Sequence, residues 1–190
     1  FVDRLVARTE ALVVGDPLER DVWMGPVIDR KTVDRFREAV EEVRSSGGEV
    51  LAGGEVLAEG DLARGHFVRP TVVAAPYESW VWSRELFMPF VAVGPVDSLD
   101  EALERSNDTE YGLTAGVFAG TQEEIDRFFA RIEAGVTYVN RRAGATTGAW
   151  PNVQSFGGWK GSGTSGTGGG GPWYLRQYMR EQSRTVIHKT

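Results

Sequence analysis

From Asp29 onward, Val33, Phe36, Val40 and Val43 recur at steps of three, four and three, the spacing that puts apolar side chains on one stripe of a helix. Asp29 suits the N-cap and Gly47-Gly48 the stop. Upstream, "FVDRLVARTEAL", apolar at 1, 2, 5, 6 and 12, predicts a helix, and "VVGDPLERDVWMGPVID" an extended connector held by Gly15, Pro17, Gly25 and Pro26. "EVLAGG", "HFVRPTVVAA" and "FVAVGPV" are β-branched runs bounded by Gly and Pro and predict strands. In the second half, Ser98 with Glu101 and Thr121 with Glu124 match the capping box that opens a helix. The second of these helices is predicted to bury Ile125, Phe128, Phe129 and Ile132 on one face, and Gly135 stops it before the strand "VTYVN". "LTAGVF" reads as a strand between the two helices. "PWYLRQYM" reads as a short helix with Pro172 in its first turn, and "TVIH" as a closing strand. Strands alternating with helices predict an α/β fold with a largely parallel open sheet and flanking helices.

Composition narrows the function. A chain of 190 residues, 41% hydrophobic and 25% charged, has the make-up of a soluble globular domain. A net charge of −6 without a local basic run gives no general attraction for nucleic acid or anionic lipid. No apolar run approaches the roughly 20 residues of a membrane-spanning helix and no signal peptide opens the chain, so neither nucleic acid nor membrane is expected as partner, and the cytoplasm is the default location. There is no cysteine, which removes disulfides, thiolate metal sites and thiol nucleophiles. Phe1 stands directly in a helical pattern, so the chain is expected to be truncated at its N-terminus.

Nine of residues 154–171, "QSFGGWKGSGTSGTGGGG", are glycine. Residues 161–166 and 166–171 both satisfy G-x-G-x-x-G, but the dinucleotide fingerprint needs a buried strand before it and a full βαβ unit after it. A disordered linker would lack the aromatic anchors Phe156, Trp159, Trp173 and Tyr174 that flank this run. Glycines between such anchors suit an ordered loop whose backbone approaches another backbone or a ligand without Cβ interference.

Other candidates have plainer readings. His66 and His188 lack a second ligand at metal-binding spacing and read as ordinary strand histidines. Ser162 and Ser165 lie outside any G-x-S-x-G elbow and read as turn serines. The pairs Glu41-Glu42 and Glu123-Glu124 read as solvated helix surface. Glu85, in "SRELFMPFVAV", either meets ligand hydroxyls at a strand edge or simply faces water.

Taken together, "VGDPLERDVWMGPVID", "GHFVRPTVV", "RELFMPFVAV", "NDTEYGLTAGVFAG", "GVTYVN" and "FGGWKGSG" resemble the aldehyde dehydrogenases, in that family's order and over nearly the whole chain. "YVNRRAGATTGAWPNVQSFGGWKGSGTSG" with "GGPWYLRQYMREQSRTVI" is most similar to the 1-pyrroline-5-carboxylate dehydrogenases, which oxidise glutamate semialdehyde. The resemblance implies a catalytic-domain portion, residues 1–183, followed by an oligomerisation strand, 184–190. The nicotinamide-binding domain, the nucleophilic cysteine and the general base would precede Phe1. It implies NAD or NADP as cofactor, bound mostly by that earlier domain, a small aldehyde as substrate, and a homo-oligomer.

Residue by residue, Glu85 matches the acid that clamps the nicotinamide ribose hydroxyls and Phe87 the aromatic beside the nicotinamide. Met88 and Phe90 depart from the commoner E-x-F-G-P-V, standing for glycine and valine. Gly148 and Ala149 match the loop that holds the substrate's amino-acid end through backbone N–H groups, with Gly144-Ala145 as the competing alignment. Phe156 matches the aromatic packed on the substrate's aliphatic part. The glycine run would then continue the substrate tunnel wall. The expected function is the C-terminal part of a semialdehyde dehydrogenase, inactive by itself; the alternative is a non-catalytic assembly module.

Overall fold

Asp29 starts the element that organises the first half of the chain. In the computed structural model, which describes residues 1–142, 153–163 and 168–188, residues 1–96 and 97–190 form two separate units. Helices α1 (Val2–Glu10) and α2 (Arg30–Ser45) belong to the first. Asp29 Oδ1 accepts hydrogen bonds from the Thr32 N–H and hydroxyl, both at 2.8 Å. Those bonds hold its carboxyl below the usual carboxylate range. The predicted stripe is buried as expected, with Thr32 and Ala39 beside Val33, Phe36, Val40 and Val43. Gly47 ends the helix with φ +85°, where a side chain would be strained.

The α2 stripe covers a three-stranded sheet of order β1 (Glu49–Ala52), β4 (Thr71–Ala74) and β5 (Phe90–Val93). The β1–β4 pair is antiparallel and the β4–β5 pair parallel. An antiparallel ribbon, β2 (Val56–Leu57) with β3 (Phe67–Val68), lies between β1 and β4 in the chain. Arg69-Pro70 separates β3 from β4. Val68, Val72 and Val73 are fully buried, each contributing about 1.5–3 kcal/mol of transfer free energy. The connector is ordered, with Gly15 N–H on Met24 O and Trp23 N–H on Val13 O. Helix α1 is amphipathic but buries no residue, and Phe1 stays exposed.

In the second unit, α3 (Leu99–Asn107), β6 (Tyr111–Gly112), β7 (Thr114–Val117), α4 (Gln122–Arg131), β8 (Val136–Val139) and β9 (Trp159–Lys160) follow in order. The β7–β8 pair is parallel, Thr114 opposite Val136, and the β6–β9 pair antiparallel. The α/β class therefore holds, with both four-residue parallel pairs joined by helical connections and the short ribbons antiparallel. Leu103, Phe128, Ile132 and Ala134 form the core of this unit. Across the same helices, Asp100 takes Arg127 at 2.7 Å and also pairs with Arg131.

Several details differ from the sequence reading. Phe129 is 51% exposed, because one turn of helix buries Phe128 and leaves its neighbour about 100° round the axis. It lies instead against the Phe128 ring, centroids 5.5 Å apart. At Thr121 the capping box is complete. At Ser98 it is half formed: Ser98 Oγ accepts from Glu101 N–H, but Glu101 Oε2 takes the N–H of Asp97, one residue early. "PWYLRQYM" forms a single 3-10 stretch, Tyr174–Tyr178, and residues 181–188 form neither helix nor strand. A strand needs partners for its N–H and C=O groups, and no described residue supplies them to "TVIH". No helix among the described residues is long and apolar enough to cross a membrane.

Candidate functional site

The segment carrying Glu85 alternates in burial. Leu86 packs against the cluster of Ala39, Val43, Val73 and Val81, and Met88 bridges that cluster to the one formed by Val33, Phe36, Val40 and Val68. Between and before these anchors, Glu85 and Phe87 are exposed, Phe87 to 79%. Met88 and Phe90, the two departures from the common motif, both point into the core, so the bulk of Met88 is spent on packing and not on the exposed side of the segment. Phe87 adopts φ +53°, a left-handed backbone that costs an L-residue about 1–2 kcal/mol. Such a cost persists only where the surroundings over-determine it, and here core-bound Leu86 and Met88 flank the strained residue. Glu85 makes no hydrogen bond or ion pair with a described residue.

These two residues have the chemistry to hold a nicotinamide nucleoside. An unengaged carboxylate has lone pairs for a vicinal diol, and an outward ring offers an apolar face to a planar heterocycle. A nearby groove between α2 and the Trp80 turn is lined by Glu38, Glu41, Glu42 and Arg84. Two of its polar groups are already used: Glu42 accepts the Ser79 hydroxyl at 2.8 Å, and Arg84 covers the Trp80 ring. Glu42 is thus a half-buried partner of a buried serine and not the solvated acid that pairing with Glu41 suggested.

In the second unit, Phe156 is half-buried and exchanges two backbone hydrogen bonds with Gly169, at 2.8 and 2.7 Å. The glycine run folds back on itself there. A Cβ on Gly168 would stand 2.6 Å from Phe156 O, and one on Gly157 would stand 2.8 Å from Gly168 Cα, so side chains are excluded by close backbone approach. Gly148 and Ala149, and the alternative pair Gly144-Ala145, lie outside the described residues. Ser162 is a turn residue whose hydroxyl accepts from Gly112 N–H at 3.1 Å.

Two polar residues escaped the sequence reading. Asn140, φ +52°, clips Ala119 with both ends of its amide, each at 3.0 Å, beyond the C-terminal ends of β7 and β8. Lys160, also φ +52°, points its ammonium at Glu133 Oε2, 2.6 Å away, and at the carbonyls of Asn107 and Thr109. A signal for it existed: Lys160 is the only charged residue between Arg142 and Arg176.

Parallel strand pairs joined through helices, with a presented carboxylate and ring in one unit and a glycine loop in the other, define a domain of the α/β class. The aldehyde dehydrogenase family profile matches residues 1–184, and the chain belongs to that family, whose members are oxidoreductases. It is 38% identical over 186 residues to 1-pyrroline-5-carboxylate dehydrogenase 1 of Halalkalibacterium halodurans, covering 97% of this chain and 34% of that protein. It is 38% identical over 184 residues to the 1-pyrroline-5-carboxylate dehydrogenase of Bacillus licheniformis, covering 96% and 34%. Among solved structures, PnpE from Pseudomonas sp. WBC-3 superposes with a TM-score of 0.80 at 34% identity, over 90% of this chain and 34% of that one. The NAD+ complex of an aldehyde dehydrogenase from Bacillus cereus gives 0.80 at 31% identity, over 93% and 34%. The chain thus spans about a third of the length of the curated relatives it matches.

Proposed function

We propose that this chain is the C-terminal part of an NAD(P)-dependent aldehyde dehydrogenase that oxidises L-glutamate 5-semialdehyde to glutamate in proline catabolism. The observation that carries the dehydrogenase reading is the alternation at 85–88, where core-bound Leu86 and Met88 flank Glu85 and Phe87 and leave both exposed. The choice of semialdehyde rests on the identity to 1-pyrroline-5-carboxylate dehydrogenases over nearly the whole chain.

The cofactor, when bound, supplies the hydride acceptor. Glu85 would accept hydrogen bonds from the ribose diol and Phe87 would pack beside the nicotinamide, so that the two residues would orient the acceptor without exchanging protons with the substrate. Phe156 borders the aliphatic part of the substrate. The backbone N–H groups of Gly148 and Ala149 receive its α-carboxylate. The 190 residues contain no cysteine to serve as thiol nucleophile, so the chain by itself reduces no NAD or NADP in the presence of aldehyde. The assembled enzyme is a cytoplasmic homo-oligomer. A second reading, an assembly module without catalysis, draws on the exposed tail, where Val186 and Ile187 lie open.

The test is Gly148→Val in the complete enzyme. Its β-branched side chain crowds the anion and restricts the backbone, so kcat/KM for glutamate semialdehyde falls at least ~10-fold, roughly 1.4 kcal/mol. A simple aliphatic aldehyde is affected much less. Equal loss for both aldehydes, or for neither, would remove the carboxylate anchor from this pair. Turnover by the isolated chain above a buffer blank would overturn the partition of the active site.

A further inference from the structure

Within the second unit, the otherwise uncharged stretch from 143 to 175 carries one ion, Lys160, and that ion is held by partners of the same unit. Only 24% of its side-chain surface is exposed. Its ammonium has three donors and three oxygen partners: Glu133 Oε2 at 2.6 Å, Asn107 O at 2.5 Å and Thr109 O at 3.2 Å. Asn107 is the last residue of α3, so its carbonyl is among those a helix leaves without an internal partner, at the end where the helix dipole favours a cation. The Asn107 side chain performs the matching service for α4, donating to Arg131 O and accepting from Glu133 N–H. Lys160, Asn107 and Glu133 therefore tie the ends of both helices to β9.

The same lysine belongs to the glycine loop. Four residues earlier, Phe156 is bonded to Gly169. Between them, Gly157 O packs so closely on Gly135 that no Cβ fits there. One residue later, Gly161 N–H reaches Glu110 O at 2.8 Å, and Ser162 Oγ takes Gly112 N–H. Every other described tie of residues 156–163 to the rest of the unit is a neutral hydrogen bond or a backbone contact. Lys160 is the charged one, and it holds a left-handed backbone that a non-glycine residue does not adopt freely.

We propose that Lys160 is a positioning residue for substrate specificity: seated between Glu133 and the carbonyl end of α3, it fixes the loop that carries Phe156. This rests on the reading of Phe156 as part of the substrate wall. It adds that the wall's position is set by an ion pair that no substrate touches.

The experiment compares Lys160→Met, which keeps the stem and removes the charge, with the parent in two measurements. In the 190-residue chain, amide hydrogen exchange at Phe156 and Gly169 speeds up at least ~10-fold while the β4 and β5 amides of the first unit stay unchanged. In the complete enzyme, KM for glutamate semialdehyde rises at least ~10-fold while kcat for propanal stays within about twofold. Unchanged exchange at Phe156 and Gly169 would overturn the positioning role whatever the substrate is. Faster exchange with equal losses for both aldehydes would overturn the substrate-wall reading and with it the specificity role. Should Lys160→Met fail to fold, Glu133→Gln keeps the side chain's size and one acceptor oxygen while removing the charge. It gives the same two changes at smaller size, and its silence in exchange would equally overturn the proposal.

Discussion

Phe36 meets Phe90 edge-on, ring centroids 6.4 Å apart and planes at 85°. The contact joins the middle of α2 to the start of β5, immediately after the segment that presents Glu85 and Phe87. Phe36 is fully buried, and Met88 packs in the same cluster. Phe36→Ala removes one ring of the pair and leaves a cavity under Met88, which costs about 3–5 kcal/mol. A urea titration of the chain reads this as a lower midpoint. A loss below about 1 kcal/mol would mean that Met88 and Phe90 collapse into the space.

The capping box at Thr121 makes a smaller and more specific prediction. Thr121 Oγ1 accepts from Glu124 N–H at 3.3 Å, and Glu124 Oε2 accepts from the N–H groups of Gly120 and Thr121 and from the Thr121 hydroxyl, each at 3.0 Å. Thr121→Ala removes the cap and costs about 1 kcal/mol. Those bonds, the Thr121 hydroxyl first, hold the Glu124 carboxyl below its ordinary value. The unfolded chain therefore takes up this proton at higher pH than the folded one. The contribution is fully present above the unfolded pKa near 4.3 and disappears as pH falls through the folded value. Urea midpoints measured from pH 6 to pH 3 should fall less steeply in Glu124→Gln than in the parent.

How far the sequence could be read depended on whether an element's partners are local. α2 was legible because its N-cap, stripe and glycine stop all lie within twenty residues, and α4 because Thr121 and Glu124 satisfy each other. Phe129 was misassigned since a stripe at 125, 128, 129 and 132 admits both aromatics, which stand about 100° apart at its two edges, and only packing decides which turns inward. The tail forms no strand within one chain, because a strand needs a partner edge that residue type does not reveal. At the candidate site, the motif named Glu85 and Phe87, but their exposure depends on Leu86 and Met88 being drawn into clusters built by α2 and β4. Lys160 stayed hidden for a related reason. Its partners Asn107 and Glu133 are far away in sequence, and a lone lysine among glycines ordinarily reads as solvated.

For the proposed cofactor site, Glu85→Gln in the complete enzyme keeps size and one acceptor oxygen while removing the charge that strengthens bonds from a diol. Nicotinamide positioning loosens, and single-turnover hydride transfer slows by about tenfold. Phe87→Ala removes the presented ring and weakens cofactor binding as well, whereas core-facing Leu86→Ala acts through stability. Stopped-flow absorbance of the reduced cofactor separates these effects. Wild-type transfer rate and affinity in Glu85→Gln would dismiss Glu85 from the site.

The tail gives the last prediction. Residues 179–188 form no helix or strand, and Met179, Val186 and Ile187 are 71%, 74% and 88% exposed. Leaving two adjacent β-branched residues open to water forgoes burial worth about 1.5–3 kcal/mol each. An extended segment with free N–H and C=O groups gains both burial and backbone hydrogen bonds by adding to the sheet edge of a second copy. Arg184 and His188 bracket the apolar pair, which limits stacking into longer aggregates and favours a defined partner edge. Deleting residues 184–190 should therefore shift the complete enzyme to a smaller assembly in sedimentation velocity, with the change growing on dilution. Val186→Asp should do the same while leaving the chain length intact, which separates loss of the strand from loss of length. An unchanged sedimentation coefficient for both variants across a hundredfold dilution, in the complete enzyme, would assign assembly to another surface.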